Sequence, residues 1–149
     1  MRAVIDFEVE TQIVRPVREV FAYVTEPANL HSWQTNTVSV ERLDDGPLRA
    51  GSRLREVHRA PGGRELASVV EVAELERDHS FALRVVEGLP IHARICFDSV
   101  GEETRMRFTA HGQPTGASRL LQPLLRAALK RQFTRDCKTL KGLLESRGS

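Results

Sequence analysis

The chain has 149 residues, of which 40% are hydrophobic and 28% charged, and its formal net charge at pH 7 is +2. This length and composition predict one domain over residues 1–149 and place the chain among soluble globular proteins. No apolar run is long enough to span a bilayer, and the N-terminus lacks the apolar segment of a secretory signal, so we expect neither a membrane-spanning segment nor a signal peptide.

The N-terminal part of the chain has the pattern of one strand followed by two short helices. Residues 4–14 alternate between apolar and polar side chains, which indicates a half-buried strand. Pro16 suits the first position of a helix, and apolar residues follow at helical spacing as far as Val24. Residues 25–27, with sequence TEP, end that helix and begin a second short one that runs through Leu30 to Trp33.

Six further strands follow, separated by turn sequences rich in glycine, proline and aspartate. They are predicted over residues 37–43, 52–59, 64–76, 80–87, 91–100 and 104–112. Because the links are short, we expect neighbouring strands to be antiparallel. Seven strands in one sheet will curl, and the apolar alternation predicts one buried and one charged face.

A long amphipathic helix is predicted over residues 123–145, after a short lead-in at 117–122. Its apolar stripe consists of Leu125, Leu129, Phe133, Cys137, Leu140, Leu143 and Leu144. A rod of about 34 Å can cover much of the sheet. The fold class is therefore α+β, a seven-stranded curved antiparallel sheet wrapped around the C-terminal helix, with two short helices between the first two strands.

Three stretches carry a resemblance to a known superfamily. They are RPVREVFAYV at 15–24, TEPANLHSW at 25–33 and AGSRLR at 50–55. With the element order, they resemble the opening helix, the second helix and the glycine-led third strand of the START-like (SRPBCC) helix-grip superfamily, and most closely its polyketide cyclase/dehydrase and lipid-transport group. The resemblance implies a cavity between the sheet and the last helix. Members bind lipids, steroids or plant hormones, cyclise polyketides or act as protein partners, and they share no catalytic signature.

We therefore expect a cavity that binds a hydrophobic small molecule, which would be lipid-, polyketide- or aromatic-like. The expected ligand-binding residues, taken from the inward positions of the strands and from the helices, are Trp33, Leu54, Ser68, Val70, Phe81, Leu83, Ile95, Phe97, Phe108 and Phe133. Trp33 would face the mouth of the cavity, although simple packing in the core explains it equally well.

Glu56 and His58 interrupt the apolar inner face of the third strand. If Leu54 points inward, these two side chains do so as well, and such a pair could exchange a proton with a ligand, since each group tunes the pKa of the other. That is the basis of an alternative function, a polyketide cyclase or dehydratase with Glu56 and His58 as acid and base. The competing interpretation places His58 at the open end of the strand and pairs Glu56 with an arginine.

No metal site, bound cofactor or nucleic-acid partner is expected. The histidines and the two cysteines lack ligand spacing, there is no phosphate-binding loop, and basic residues do not alternate with aromatic ones. With no export signal, Cys96 and Cys137 are expected to be inert reduced thiols in a cytoplasmic protein, which would be a monomer or a homodimer without integral membrane association.

Charge is distributed unevenly along the chain. Residues 1–110 carry 14 basic and 18 acidic side chains, whereas residues 111–149 carry 8 basic and 2 acidic ones. The basic back of the last helix, which includes Arg131 and Arg135, supports a third hypothesis, an interaction module for an anionic partner. The simpler interpretation is a solvated helix surface.

Overall fold

A computed structural model describes residues 5–59, 62–88, 91–112 and 122–147 of the chain. The elements are β1 (Ile5–Ile13), α1 (Val17–Thr25), a 3₁₀ turn (Pro27–Asn29), α2 (Leu30–Trp33), β2 (Thr37–Arg42), β3 (Arg53–Arg59), β4 (Glu65–Glu76), β5 (Ser80–Glu87), β6 (Ile91–Val100), β7 (Glu103–Gly112) and α3 (Gln122–Ser146). Every predicted strand and helix is confirmed to within two residues. The predicted lead-in at 117–122 lies outside the described residues except for Gln122, which begins α3.

The seven strands form one antiparallel sheet in the order β1-β7-β6-β5-β4-β3-β2. The alternation predicted from the sequence is clearest in β7, where from Thr104 to Gly112 buried and exposed residues follow one another without a break. Irregular register between Val69 and Val70 and between Val72 and Glu74 marks bulges in the β4–β5 pairing. Such bulges bend a strand and increase its twist, so the sheet curls toward its apolar face.

Helix α3 packs on that apolar face and runs alongside β1. Near the start of the helix Arg126 Nε donates to the Asp6 carbonyl at 2.8 Å, and near its end Lys141 Nζ donates to the Gln12 carbonyl at 2.6 Å. Between these points the ring of Phe133 stacks on Phe108, with 4.3 Å between ring centroids. The first turn of α3 therefore lies over the start of β1 and its last turns over the end of β1. Neither α3 nor any other helix in the described ranges combines the length and the apolar character needed to span a bilayer.

Helix α1 covers only one end of the sheet, which we call the closed end. There the ring of Phe21 packs edge-on against Phe97, with centroids 5.3 Å apart. Thr104 Oγ1 donates to the Arg15 carbonyl at 2.8 Å and joins β7 to the segment before α1. The side chains with no exposed surface include Ile13, Val20, Val24, Met106 and Leu140. At the opposite end, which we call the open end, β3 and β5 finish and β4 and β6 begin.

Candidate functional site

A cavity of about 260 Å³ lies at the open end, between the inner face of the sheet and helices α2 and α3. Seven elements contribute to its wall. The described residues that line it are Leu30, Trp33, Gln34, Glu56, His58, Leu66, Ala67, Ser68, Val70, Phe81, Leu83, Val85, Gly88, Ile91, Ala93, Ile95, Phe108 and Phe133. Leu66 is 49% exposed, so this part of β4 forms the rim of the cavity.

Most of the residues expected at the site line this cavity. Glu56 and His58 do so, together with Trp33, Ser68, Val70, Phe81, Leu83, Ile95, Phe108 and Phe133. Trp33 has no exposed surface, so its ring forms part of the floor rather than the mouth. The alternation of each strand placed these side chains on the correct face, and the apolar stripe of α3 placed Phe133 opposite them.

Two expected residues, Leu54 and Phe97, do not line the cavity. Leu54 is fully buried two residues before Glu56, on the side of the closed end. Phe97 is buried against Phe21 of α1. Both side chains point inward as predicted, but they lie where the core is filled.

The lining residues that we did not expect lie mainly on the side of the open end. They are Leu30, Gln34, Leu66, Ala67, Val85, Gly88, Ile91 and Ala93. The signal for Val85, Ile91 and Ala93 was present, because they continue the inward alternation of β5 and β6. Gly88 has a φ of +127°, and a Cβ added there would lie 2.9 Å from the Ser68 Cβ, so only glycine lets the end of β5 approach β4 this closely.

The polar groups of the cavity are concentrated on one wall, formed by β3, β4 and the end of α2. Glu56 lies directly opposite Ser68 in the register of β3 and β4, so the two side chains share the inner face. His58 follows on the same face of β3. Gln34 completes the wall, and its Oε1 accepts a hydrogen bond from Thr37 Oγ1 at 3.1 Å. The other walls are aliphatic and aromatic.

The Glu56 side chain is 6% exposed and, among the described residues, has neither a hydrogen-bond partner nor an ion pair. The competing interpretation of the sequence placed His58 at the open end of the strand, where it lies, but the pairing of Glu56 with an arginine does not occur there. Burial disfavours the charged carboxylate and raises the pKa of Glu56 to about 7. Burial also lowers the pKa of His58. The expectation that each group tunes the other was wrong, because desolvation alone causes both shifts.

The cavity therefore offers hydrogen-bonding groups without a fixed positive charge. Among the described lining residues none is a lysine or an arginine. No group of three or more His, Cys, Asp or Glu side chains placed to hold a metal ion occurs in the part of the chain that the structure describes. Such a wall suits an uncharged ligand that exchanges hydrogen bonds with Glu56, Ser68 and His58.

Behind the cavity, Asp136 fixes α3 to the segment that follows α2. Its Oδ1 accepts hydrogen bonds from the Thr35 backbone N–H at 3.1 Å and from Thr35 Oγ1 at 3.0 Å. The residue is fully buried, and burial raises its pKa. No pattern in the sequence predicts this contact, although Asp136 is the only acidic residue beside the apolar stripe in the middle of α3. Its neighbour Cys137 is also buried, and burial raises the pKa of that thiol to about 12, as expected for an inert cysteine.

Solved structures with the same architecture include several helix-grip proteins. TTHA0849 from Thermus thermophilus has a TM-score of 0.81 at 19% identity, over 97% of this chain and 99% of that one. The Zhui aromatase/cyclase from Streptomyces sp. R1128 has a TM-score of 0.81 at 16% identity, over 98% and 96%. The di-domain aromatase/cyclase StfQ of the steffimycin biosynthetic pathway has a TM-score of 0.82 at 13% identity, over 98% of this chain and 52% of that one.

These identities establish a shared fold, and the sequence itself carries the family relationship. No curated protein matches the chain in a sequence search. The sequence profile of the family described as polyketide cyclase / dehydrase and lipid transport matches residues 4–145. This match spans all seven strands and nearly all of α3. The chain therefore belongs to the polyketide cyclase / dehydrase and lipid transport family.

Proposed function

We propose that this protein binds a hydrophobic small molecule in the cavity at the open end of the sheet, as a single cytoplasmic START-like domain without a resident cofactor. The observation that carries the proposal is the cavity of about 260 Å³, with aliphatic and aromatic walls and polar groups on one side only. Apolar walls supply the driving force for binding, and a few placed polar groups orient the ligand.

The size of the cavity limits the ligand. Ligand pockets commonly measure about 300–1,000 Å³, and this one lies just below that range. A compound with one or two rings, or a short aliphatic chain, fits inside. A longer chain would have to extend through the rim beside Leu66. The compatible classes are aromatic and polyketide-like compounds and small lipids.

Titration with a neutral fluorescent naphthalene that has only two rings, 2-methoxynaphthalene, tests the proposal. We expect saturable binding with one site per chain. Ala93 lines the cavity, so Ala93→Leu should weaken binding at least about tenfold by filling part of the volume. Ala73 is exposed on β4 and does not line the cavity, so Ala73→Leu adds the same side chain elsewhere and should leave the affinity unchanged. Equal effects of the two variants, or no saturable binding, would contradict the proposal.

A second candidate function is cyclisation or dehydration of a polyketide-like substrate in the same cavity. The observation that favours it is the meeting of Glu56 and His58 in one apolar site, with a Glu56 pKa of about 7. A carboxyl group that is still about half protonated at pH 7 suits the acid, and an imidazole whose lowered pKa keeps it neutral suits the base. In a ring closure, His58 would take a proton from the carbon that attacks, and Glu56 would protonate the ketone oxygen as the carbon–carbon bond forms.

Turnover of a poly-β-keto thioester, followed by mass spectrometry, separates the two functions. If the protein is a cyclase, Glu56→Gln and His58→Ala should each lower the rate by about a hundredfold or more, while the naphthalene still binds. Binding without turnover in the wild-type protein would support the binding function and contradict the cyclase function. A rate unaffected by both substitutions would remove these residues from any catalytic role.

A further inference from the structure

The outward surface of α3 carries a cluster of positive charges that form no ion pair with an acidic side chain. We define the basic face as Arg131, Arg135 and Lys138, with Lys130 at its edge, all of which are exposed. None of the four forms an ion pair among the described residues, and the sequence has no acidic residue between Glu103 and Asp136. Asp136 is buried against Thr35; its carboxylate interacts electrostatically with Arg135 but forms no ion pair with it among the described residues.

On the outer face of the sheet, by contrast, several arginines form ion pairs with acidic side chains. Arg53 and Arg84 both bind Glu71, at 3.2 and 2.7 Å, and Arg94 binds Glu74 at 3.0 Å. Further pairs follow along β7, where Arg105 binds Glu10 and Arg107 binds Asp98. Single arginines without an ion pair, such as Arg55, also occur elsewhere among the described residues, so what distinguishes the basic face is that several unpaired cations lie together on one helix surface.

An exposed leucine continues the basic face toward the start of the helix. Leu124 is 70% exposed, more than any other large hydrophobic residue described. With 3.6 residues per turn, Leu124, Arg131, Arg135 and Lys138 fall within a sector of about 60°, opposite the buried stripe, over a length of about 21 Å. The exposed alanines Ala127 and Ala128 let the backbone come close to a flat surface.

We propose that the basic face and Leu124 dock the protein on the surface of an anionic phospholipid membrane. A stable protein–protein interface needs about 800 Å² on each partner with a well-packed apolar centre, and this convex helix surface supplies only one large apolar side chain. A bilayer requires no shape complementarity, attracts clustered lysine and arginine through its surface potential, and accepts an inserted leucine.

Docking in this orientation brings the cavity close to the membrane. Arg126 binds the Asp6 carbonyl, and the start of β1 pairs with the end of β7, which pairs in turn with Ile91 of the cavity wall. Leu124 therefore lies at the open end of the sheet. A ligand that partitions into lipid would then have a short path to the cavity; this consequence rests on the proposed binding function, whereas the docking itself does not.

Co-sedimentation of the full chain with vesicles tests the docking. We expect binding to phosphatidylcholine vesicles that contain about one-third phosphatidylglycerol, little binding to phosphatidylcholine alone, and at least about tenfold weaker binding when NaCl rises from roughly 50 to 300 mM. Neutralising three charges in Arg131→Gln/Arg135→Gln/Lys138→Gln should lower the partition coefficient by about a hundredfold, because each basic side chain contributes roughly a factor of five.

A matched variant controls for net charge. Arg18, Arg55 and Arg77 are exposed, have no ion pair among the described residues and lie away from α3, so Arg18→Gln/Arg55→Gln/Arg77→Gln makes the same change in charge elsewhere. We expect it to reduce binding by less than about threefold. Leu124→Ser should weaken binding about fivefold or more without changing its salt dependence.

Three results would overturn the docking proposal. They are equal losses in the two triple variants, no binding of the wild-type protein to anionic vesicles, and binding to soluble poly-glutamate but not to vesicles. The last result would indicate an acidic protein partner instead. Binding of the naphthalene probe is measured separately, so failure of the docking leaves the proposed cavity function standing, and the reverse also holds.

Discussion

The closed and open ends of the sheet share one alternation of inward apolar residues but differ in what covers them. At the closed end, α1 adds Val20, Phe21 and Val24 to the inner layer, and Met106 and Leu140 lose all exposed surface. At the open end no element among those described fills the corresponding space, and the inner face borders a cavity of about 260 Å³. The alternation of the strands determines which face of the sheet is apolar. The covering helix determines whether that face is packed into the core or borders a cavity.

The largest expected effect comes from the same substitution made at the two ends. Leu140→Ala removes a fully buried side chain from the closed end and should lower the free energy of unfolding by about 3–4 kcal/mol. Leu83 borders the cavity and lacks neighbours on one side, so Leu83→Ala should lower it by only about 1–2 kcal/mol. Urea denaturation of both variants measures the difference. Equal losses would mean that the open end is as tightly packed as the closed end.

The pH dependence of stability should report the buried carboxyl group at the open end. The Glu56 pKa is about 7 in the folded protein against an ordinary value of 4.5, so between these values the folded state keeps a proton that the unfolded chain has lost. Stability should therefore fall as pH rises from about 4.5 to 7, and Glu56→Gln should remove roughly 2–3 kcal/mol of that fall.

An acidic residue on the outer face provides the control for this pH series. The hydrogen bond from Arg84 lowers the pKa of Glu71, so this carboxylate stabilises the folded protein above its ordinary pKa and loses that effect as pH falls. Relative to wild type, Glu71→Gln should lose stability at neutral pH and recover it in acid. A Glu56→Gln variant that follows the same trend as Glu71→Gln would show that Glu56 is not desolvated.

A third comparison adds bulk at two neighbouring positions. Ala93 and Ala110 lie directly opposite each other on β6 and β7, but only Ala93 lines the cavity and Ala110 is 2% exposed. Ala110→Leu should overpack its surroundings and lower the free energy of unfolding by about 1–3 kcal/mol. Ala93→Leu should change it by less than about 0.5 kcal/mol, because the added atoms enter existing space. Similar losses in thermal or urea denaturation would show that no such space exists.

The smallest effect is expected on the outer face, which both ends share. The ion pair of Arg94 with Glu74, at 3.0 Å, is largely exposed. Arg94→Gln should therefore lower the free energy of unfolding by less than about 1 kcal/mol, and the difference should shrink at high salt. A loss as large as that of Leu140→Ala would mean that charge pairs, rather than the inner layer, hold the sheet together.

The sequence was sufficient to predict the element order and the inward faces of the strands. Alternation with a period of two residues and the stripe of α3 depend only on local geometry, so the sequence alone predicts that Val70, Phe81, Ile95 and Phe133 belong to the inner layer. The same reasoning predicts that Glu56 and His58 lie on the inner face. Residue type alone would not have indicated this position, because glutamate is usually exposed and histidine is only intermediate in burial.

The position of the cavity along the strands could not be predicted in this way. Leu54 and Phe97 have the correct face but lie toward the closed end, where long-range packing with α1 fills the core. Ala93 continues the inward alternation of β6, but alternation does not tell how far along the strand the cavity extends, and Gly88 gives no signal in a hydrophobic pattern. Likewise, the burial of Asp136 depends on Thr35, which is 101 residues away in sequence, and no local pattern reports such a contact.

The most direct test of the account is a methyl NMR titration of the full chain with the neutral naphthalene. Leu83, Ile95 and Val70 border the cavity, whereas Leu140 and Leu144 lie buried in α3 and do not line it. We predict intermolecular NOEs from the bound probe to the first group and none to the second. NOEs to Leu140 and Leu144, or to exposed methyl groups such as those of Leu124, would contradict a binding site at the open end of the sheet.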